Sequence, residues 1–237
     1  MNLQVSMPYE DCPFKCPMCI ASGREKFGDI YTENREEYLY RLKKLAESGN
    51  YKDFVITGAA DPTLNRHWLG DVLETLKDVN TELQTKNYNI KDYDFHNLSV
   101  LAYSITNSRE YLQAWSLRRL PNAKNRLVIL LTKEFDFLNA KNFSPMGFEQ
   151  ITFKVLQMTE SEKTNKWIEA NAMTDLTNIY AIVDKFNGNK KVSVRLDASC
   201  QDSHGRYEIF RADGNLYGRW EDKEPIKEEI CNEQRSN

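Results

Sequence analysis

Histidine is nearly missing, with three copies in 237 residues. None of His67, His96 and His204 stands at paired spacing with another or with Cys200 or Cys231, so a zinc site built from two separated ligand pairs is not written here. Cysteine is scarce as well, at five. Three of the five fall close together, which is not a disulfide framework and fits a reducing cytoplasm. No apolar run approaches the roughly 18 residues of a membrane span. The opening residues Met1, Asn2, Leu3 and Gln4 lack the charged start and long apolar core of a secretory signal. Neither sign of charge dominates: Lys plus Arg number 32 against 35 Asp plus Glu, a net charge of -3. General nucleic-acid binding therefore has no electrostatic support. No repeat occurs at solenoid periods. What remains is an ordinary globular balance, 41% hydrophobic and 28% charged, in a chain long enough for one large or two small domains.

The few cysteines form Cys12-Pro13-Phe14-Lys15-Cys16-Pro17-Met18-Cys19, a C-x3-C-x2-C spacing just after a strand-like start at Leu3, Val5 and Met7. Three thiolates on one short loop can bind three irons of a cubane cluster and leave the fourth open to an outside ligand. Pro13 and Pro17 oppose a helix and suit a stiff irregular loop. A structural zinc site is the alternative for these residues, and it asks for a fourth protein ligand.

Strand and helix patterns alternate about six times. Strands are expected at 3–7, 54–57, 82–85, 98–104, 126–132, 151–156 and 192–197. Helices are expected from a cap at Asn34 with Glu37 to a stop near Gly49, at 68–79, at 107–120, briefly at 134–140, and at 160–186 with a break near Met173. Asp213, Gly214 and Asn215 carry the turn chemistry of a hairpin between 207–212 and 216–220. Such alternation predicts an α/β fold with a parallel sheet and crossover helices. Six units fit the length better than the eight of a complete barrel, which gives a partial (βα)6 barrel with a C-terminal β-hairpin. The expected layout is a core at 1–190, a strand and hairpin extension at 191–221, and a charged, mobile tail at 222–237. Ligand sites in such sheets lie at the carboxyl ends of the strands.

At its cysteine loop the chain resembles the radical S-adenosylmethionine (radical SAM) superfamily. A second stretch, Thr57-Gly58-Ala59-Ala60-Asp61-Pro62, is similar to that family's Gly-Gly-Glu-Pro segment at the end of the second strand, with Ala for Gly and Asp for Glu. The resemblance implies a radical SAM barrel core. It implies a [4Fe-4S] cluster held by Cys12, Cys16 and Cys19, with S-adenosyl-L-methionine on the fourth iron. It implies a SAM site including Met18, Gly58, Ala59, Ala60, Asp61, Ser104 and Thr132, with Thr85 and Asn87 shaping it. The implied activity is reductive cleavage of SAM to a 5'-deoxyadenosyl radical, which abstracts hydrogen from a substrate, with an electron donor such as flavodoxin or ferredoxin as partner.

The substrate is expected to be small and polar, with nucleotide-like compounds among the candidates. Lys154, Gln157 and Arg195, on or beside the sixth and seventh strands, are the residues for a phosphate or carboxylate of that substrate, because ionisable groups in a sheet need a partner or a task. A structural salt bridge or a solvated edge explains them equally well. Tyr9, Tyr103 and His204 are further candidates for substrate contact. The alternatives within the family are a glycyl-radical-enzyme activase and a peptide-modifying enzyme. Outside it stands a zinc-stabilised binding module without catalysis.

Overall fold

The strand patterns join into one sheet in the computed structural model, which describes residues 1–7, 12–19, 35–58, 60–90, 95, 97–158, 161–198, 207–220 and 222–226. The strands are β1 (Asn2–Val5), β2 (Asp53–Ile56), β3 (Thr81–Thr85), β4 (Val100–Ile105), β5 (Lys124–Leu131), β6 (Gln150–Val155), β7 (Ser193–Asp197), β8 (Tyr207–Phe210) and β9 (Leu216–Tyr217). Their order across the sheet is β7-β6-β5-β4-β3-β2-β1-β8-β9. Every neighbouring pair is parallel except β8 with β9. The fold is α/β with a mostly parallel central sheet.

From β1 to β7 each strand is added on the same side of the last. Right-handed crossovers then deliver every connection to one face of the sheet. The burial pattern agrees. Leu3, Val5, Phe54, Ile56, Leu83, Leu101, Ile105, Leu127, Ile129, Leu131, Ile151 and Phe153 share that face through the strand register, and all are fully buried. They form one cluster with helix residues Tyr38, Leu42, Leu69, Val72, Tyr111, Ile179 and Ile182. Each such side chain contributes about 1.5–3 kcal/mol by leaving water. The opposite face carries Gln4, Glu82, Gln84, Ser104, Arg126, Gln150, Thr152, Lys154, Arg195 and Asp197. Its apolar members Val55, Val100, Val128 and Leu130 are half-buried, Ala102 and Ile209 are fully buried, and all six stand outside that cluster. The sheet thus has one helix-covered face and one largely polar face, more open along β5 to β7 than at β8, and called the open face below.

The helices are α1 (Arg35–Glu47), α2 (Arg66–Thr75), α3 (Ser108–Gln113), α4 (Glu162–Asn171) and α5 (Thr177–Lys185). In α1, Tyr38 and Leu42 face the core one turn apart, Glu36 and Glu37 begin the helix, and Lys44 lies in its last turn. This charge order complements the helix dipole. Gly49 follows with φ 71°, the left-handed conformation that ends helices. The cap expected at Asn34 lies outside the described residues. In α2 the Asn65 side chain accepts from the Trp68 backbone N–H at 3.2 Å, which starts the helix earlier than its apolar pattern does.

Three expected elements differ. The helix expected over 107–120 ends as α3 and a 3-10 turn, Ala114–Ser116. The Arg119 guanidinium donates to the carbonyls of Leu117, Ala114 and Met146, and so takes up helix-end acceptors before Pro121 is reached. The helix expected at 134–140 is a 3-10 turn, Lys133–Phe135. Asn139 and Asn142 bind nearby backbone groups, which competes with helix formation. The second hairpin strand stops at Tyr217 because Arg211 draws the carbonyls of Arg219, Trp220 and Asp222 around its guanidinium. The break expected near Met173 is present, where the Met173 N–H donates to the Leu131 carbonyl at 3.2 Å.

Of the segment read as a mobile tail, residues 222–226 are described, and the Ile226 N–H donates to the Leu216 carbonyl at 2.7 Å. Among the described residues no helix is long and apolar enough to cross a membrane.

Candidate functional site

The three cysteines lie on a loop beyond the carboxyl end of β1. The Cys19 N–H donates to the Cys16 carbonyl at 3.0 Å, closing a turn over Pro17 and Met18. Lys15 has φ 41°, so the chain reverses just before Cys16. All three thiols are half-buried, and Met18, in the same turn, is buried. Burial pushes the Cys16 thiol up. Lys86 pulls against it, while Cys19, Cys12 and Glu110 push the same way as burial. The three sulfurs therefore sense one another, together with a fixed cation and a fixed anion.

The second loop, after β2, is fitted closely against the end of β1, from which the thiol loop departs. Gly58 has φ 145°, and a Cβ there would stand 2.4 Å from Ser6 Oγ. Only glycine lets the two strand ends come so close. The Thr57 N–H donates to the Val5 carbonyl at 3.0 Å and extends the pairing of the two strands to this point.

Asp61 is buried, and its carboxylate is engaged by the protein itself. Oδ1 accepts from the Thr63 N–H at 3.0 Å and the Thr63 hydroxyl at 2.7 Å. Oδ2 accepts from the Lys86 N–H at 2.6 Å, and the Thr85 hydroxyl lies 2.9 Å from both oxygens. Asn87 Nδ2 donates to Thr63 Oγ1 at 2.9 Å. Asp61 thus ties the loop after β2 to the end of β3, with Thr85 and Asn87 as its clamps.

Lys86 is the next link. All its Nζ contacts are to two residues: Thr106 Oγ1 at 2.7 Å, and Glu110 Oε2 at 2.8 Å and Oε1 at 2.7 Å. Glu110 also accepts from the Thr106 N–H at 2.6 Å. Burial alone would raise the Glu110 carboxyl, but the hydrogen bond and charge of Lys86 and the bonds from Thr106 outweigh it and hold it below the usual range. The Tyr88 hydroxyl donates to the Ser104 carbonyl at 2.8 Å. Burial first, then Glu110, Cys16 and Asp61, pushes that phenol far up, so it remains neutral. The ends of β1 to β4 are thereby joined into one polar constellation around the thiol loop.

The structure brings Cys12, Cys16, Cys19, Gly58, Ala60, Asp61 and Ser104 to this carboxyl edge. Thr132 ends β5 there too, but it is buried and its hydroxyl donates to the Thr106 carbonyl at 3.4 Å. Lys154 and Arg195 lie on the open face of β6 and β7, and Gln157 lies just beyond β6. The Tyr103 ring is on the covered face, with its hydroxyl donating to the Arg118 carbonyl at 3.1 Å, which gives it a packing role. Ala59, Tyr9 and His204 lie outside the described residues, as do His96, Cys200 and Cys231.

Lys86, Thr106, Glu110 and Tyr88 were not singled out from the sequence. The available signal was Asn107-x-x-Glu110, a helix-start signature. The Asn107 side chain does accept from the Glu110 N–H at 2.9 Å. A second group missed is Glu82 with Arg126. They form an ion pair on the open face, although they stand on β3 and β5 and must reach across β4. Ala102 on β4, the register partner of Arg126, is small and fully buried. Gln84 donates to Glu82 at 2.9 Å and Arg126 donates to Gln150 at 2.8 Å, making a polar belt over four strands.

Among the described residues, no group of three or more His, Cys, Asp or Glu side chains is already gathered as a metal site. The donor chemistry nevertheless fits an iron-sulfur cluster: three thiols on one loop, with no carboxylate or imidazole among that loop's described residues. No family model matches the chain, and no curated protein matches it in sequence.

Proposed function

We propose that this chain is a radical SAM enzyme, with Cys12, Cys16 and Cys19 as the ligands of a [4Fe-4S] cluster. The observation that carries the reading is the position of the thiol loop. It stands beyond the carboxyl end of β1, a strand end that Gly58 fits closely against the loop after β2, on a parallel sheet whose other face is largely polar. A sheet wound in one direction with its helices outside is the architecture of a partial barrel, and the open face would be its interior.

Bound there, a cluster with S-adenosyl-L-methionine supplies the 5'-deoxyadenosyl radical that abstracts hydrogen from substrate. The residues of the chain do the positioning. Asp61 fixes the backbone of residues 60–63 to β3, so carbonyls of that loop are held in place beside the cluster loop. The neutralised Lys86–Glu110 pair presents a fixed dipole to Cys16 rather than a bare charge. Ser104 offers a half-exposed hydroxyl at the end of β4. Met18, buried within the thiol turn, would pack beside the bound cofactor. The substrate would occupy the open face, and an electron donor of the flavodoxin or ferredoxin kind would reach the thiol loop from outside. A reducing, cytoplasmic setting suits all three thiols.

The test is anaerobic incubation of the iron-reconstituted protein with SAM and a strong reductant. Release of 5'-deoxyadenosine is expected, with its loss in Cys16→Ala. Equal release by that variant would remove the ligand assignment.

A further inference from the structure

Two cations on adjacent strands of the open face of the sheet have no anionic partner among the described residues. Between β3 and β7, Lys124 lies exposed at the amino end of β5, and four further cations lie nearer the carboxyl edge. Lys86 is matched by Glu110, and Arg126 by Glu82, with each side chain of both pairs no more than 15% exposed. The other two are Lys154 and Arg195, on the adjacent strands β6 and β7. Arg195 Nε donates to Thr152 Oγ1 at 3.2 Å. Thr152 is buried and is the register partner of Arg195. One edge of the guanidinium is therefore fixed, and its two terminal nitrogens have no partner among the described residues. Lys154 stands one pleat repeat nearer the carboxyl edge. Its ammonium makes no hydrogen bond or ion pair with a described residue, including Asp197, its register partner.

We propose that Arg195 and Lys154 form the subsite for an anionic group of the substrate, a phosphate or a carboxylate. The proposal rests on the reading of the open face as the substrate side. An anchored guanidinium gives two parallel donors in a fixed plane, which match two oxygens of one anion. Lys154 adds a point charge towards the strand ends where the thiol loop lies. The Glu82–Arg126 belt sets the floor beneath: Arg126 is already neutralised, so an anion gains nothing by going deeper. The half-buried Val128 and Leu130 on β5 offer apolar contact for the body of a small molecule held by its anionic end. The substrate class that fits is a small organic anion with an apolar or planar portion.

The competing account is that Arg195 simply solvates the edge strand β7, where charged residues discourage pairing with another chain, and that Lys154 on β6 reaches solvent beside it. Titration calorimetry separates the two. The probes are inorganic phosphate and succinate, titrated into the reconstituted protein at low and at physiological ionic strength. Saturable binding of one of them is expected, with the two arms telling phosphate from carboxylate. Arg195→Gln and Lys154→Gln should each weaken it about tenfold, the scale of one charge-assisted contact. Arg195→Lys, which keeps the charge and loses the fork, should weaken it less than Arg195→Gln but measurably. Lys191→Gln, at the exposed amino side of the same strand, should change nothing. Melting curves of the variants should overlay that of the parent protein, since both side chains are at the surface. No saturable binding of either probe, or an equal loss in Lys191→Gln, would overturn the subsite. Assaying SAM cleavage on the same samples keeps the two ideas apart. Anion binding without cleavage leaves the subsite and removes the enzyme reading, and cleavage without anion binding removes the subsite alone.

Discussion

Replacing Asp61 by asparagine should destabilise the protein by about 3 kcal/mol. The carboxylate receives the Lys86 N–H on Oδ2, the Thr63 N–H and hydroxyl on Oδ1, and the Thr85 hydroxyl between them. Asparagine can keep one oxygen towards Thr63, but it then points an NH2 at the Lys86 N–H. The hydroxyl of Thr85 can turn to accept, whereas a backbone N–H cannot. Hydrogen bonds to a charged acceptor are worth about 1.5–3 kcal/mol, and a buried donor left unmatched adds about 1–3 kcal/mol, with the two overlapping. For a chain of this size each kcal/mol lowers the melting temperature by about 2–4 °C, so a drop of roughly 6–12 °C is expected. Asp61→Glu should not restore it, because the longer arm cannot keep four donors in register. Thermal melting gives the total, and hydrogen exchange at the Lys86 amide locates it, since that proton should exchange much faster in the variant. A melting temperature within 1 °C of the parent, with an unchanged Lys86 amide, would refute the view that Asp61 ties β2 to β3.

Gly58→Ala should lower stability by about 2–4 kcal/mol, combining a strained φ with the 2.4 Å approach to Ser6. Adding Ser6→Gly should recover the steric part alone, which a melting series will read. Arg126→Met should cost about 3–5 kcal/mol because it leaves Glu82 charged and buried. Glu82→Gln with Arg126→Met should cost less than the single change, and a double-mutant cycle measures the difference. For Glu110 the folded carboxyl lies below its unfolded value, so its contribution is complete above about pH 4.3 and is lost as pH falls through the folded value. Denaturant midpoints of Glu110→Gln below pH 5 should therefore fall less steeply than those of the parent protein.

Much of this fold is legible in the residues themselves, and the reasons are local. Leu127 to Leu131 is a β-branched and apolar run that admits only a buried strand, and Asp213-Gly214-Asn215 admits only a turn. The helix expected over 107–120 failed for a non-local reason. Arg119 collects carbonyls from both sides of it, including Met146, far along the chain. Equally hidden was the destination of the hairpin, which adds β8 parallel to β1 through a register no periodicity contains.

The candidate site divides in the same way. The thiol spacing and the small-residue turn can be read directly. That Gly58 is required by Ser6, and that Asp61 faces Thr85 and Lys86, depends on strand ends meeting in space. The Glu82–Arg126 belt was invisible because its members are joined only across an intervening strand over Ala102. Lys154 and Arg195 were legible as oddities of a sheet. That neither has an anionic partner among the described residues is read only from the folded sheet.

The most direct measurement is electron paramagnetic resonance of the anaerobically reconstituted, reduced protein before and after adding SAM. The account predicts about four iron and four sulfide per chain, a reduced-cluster signal that changes on SAM addition, and loss of both in Cys12→Ala, Cys16→Ala and Cys19→Ala. A colourless protein holding one zinc, or a cluster signal indifferent to SAM, would contradict it.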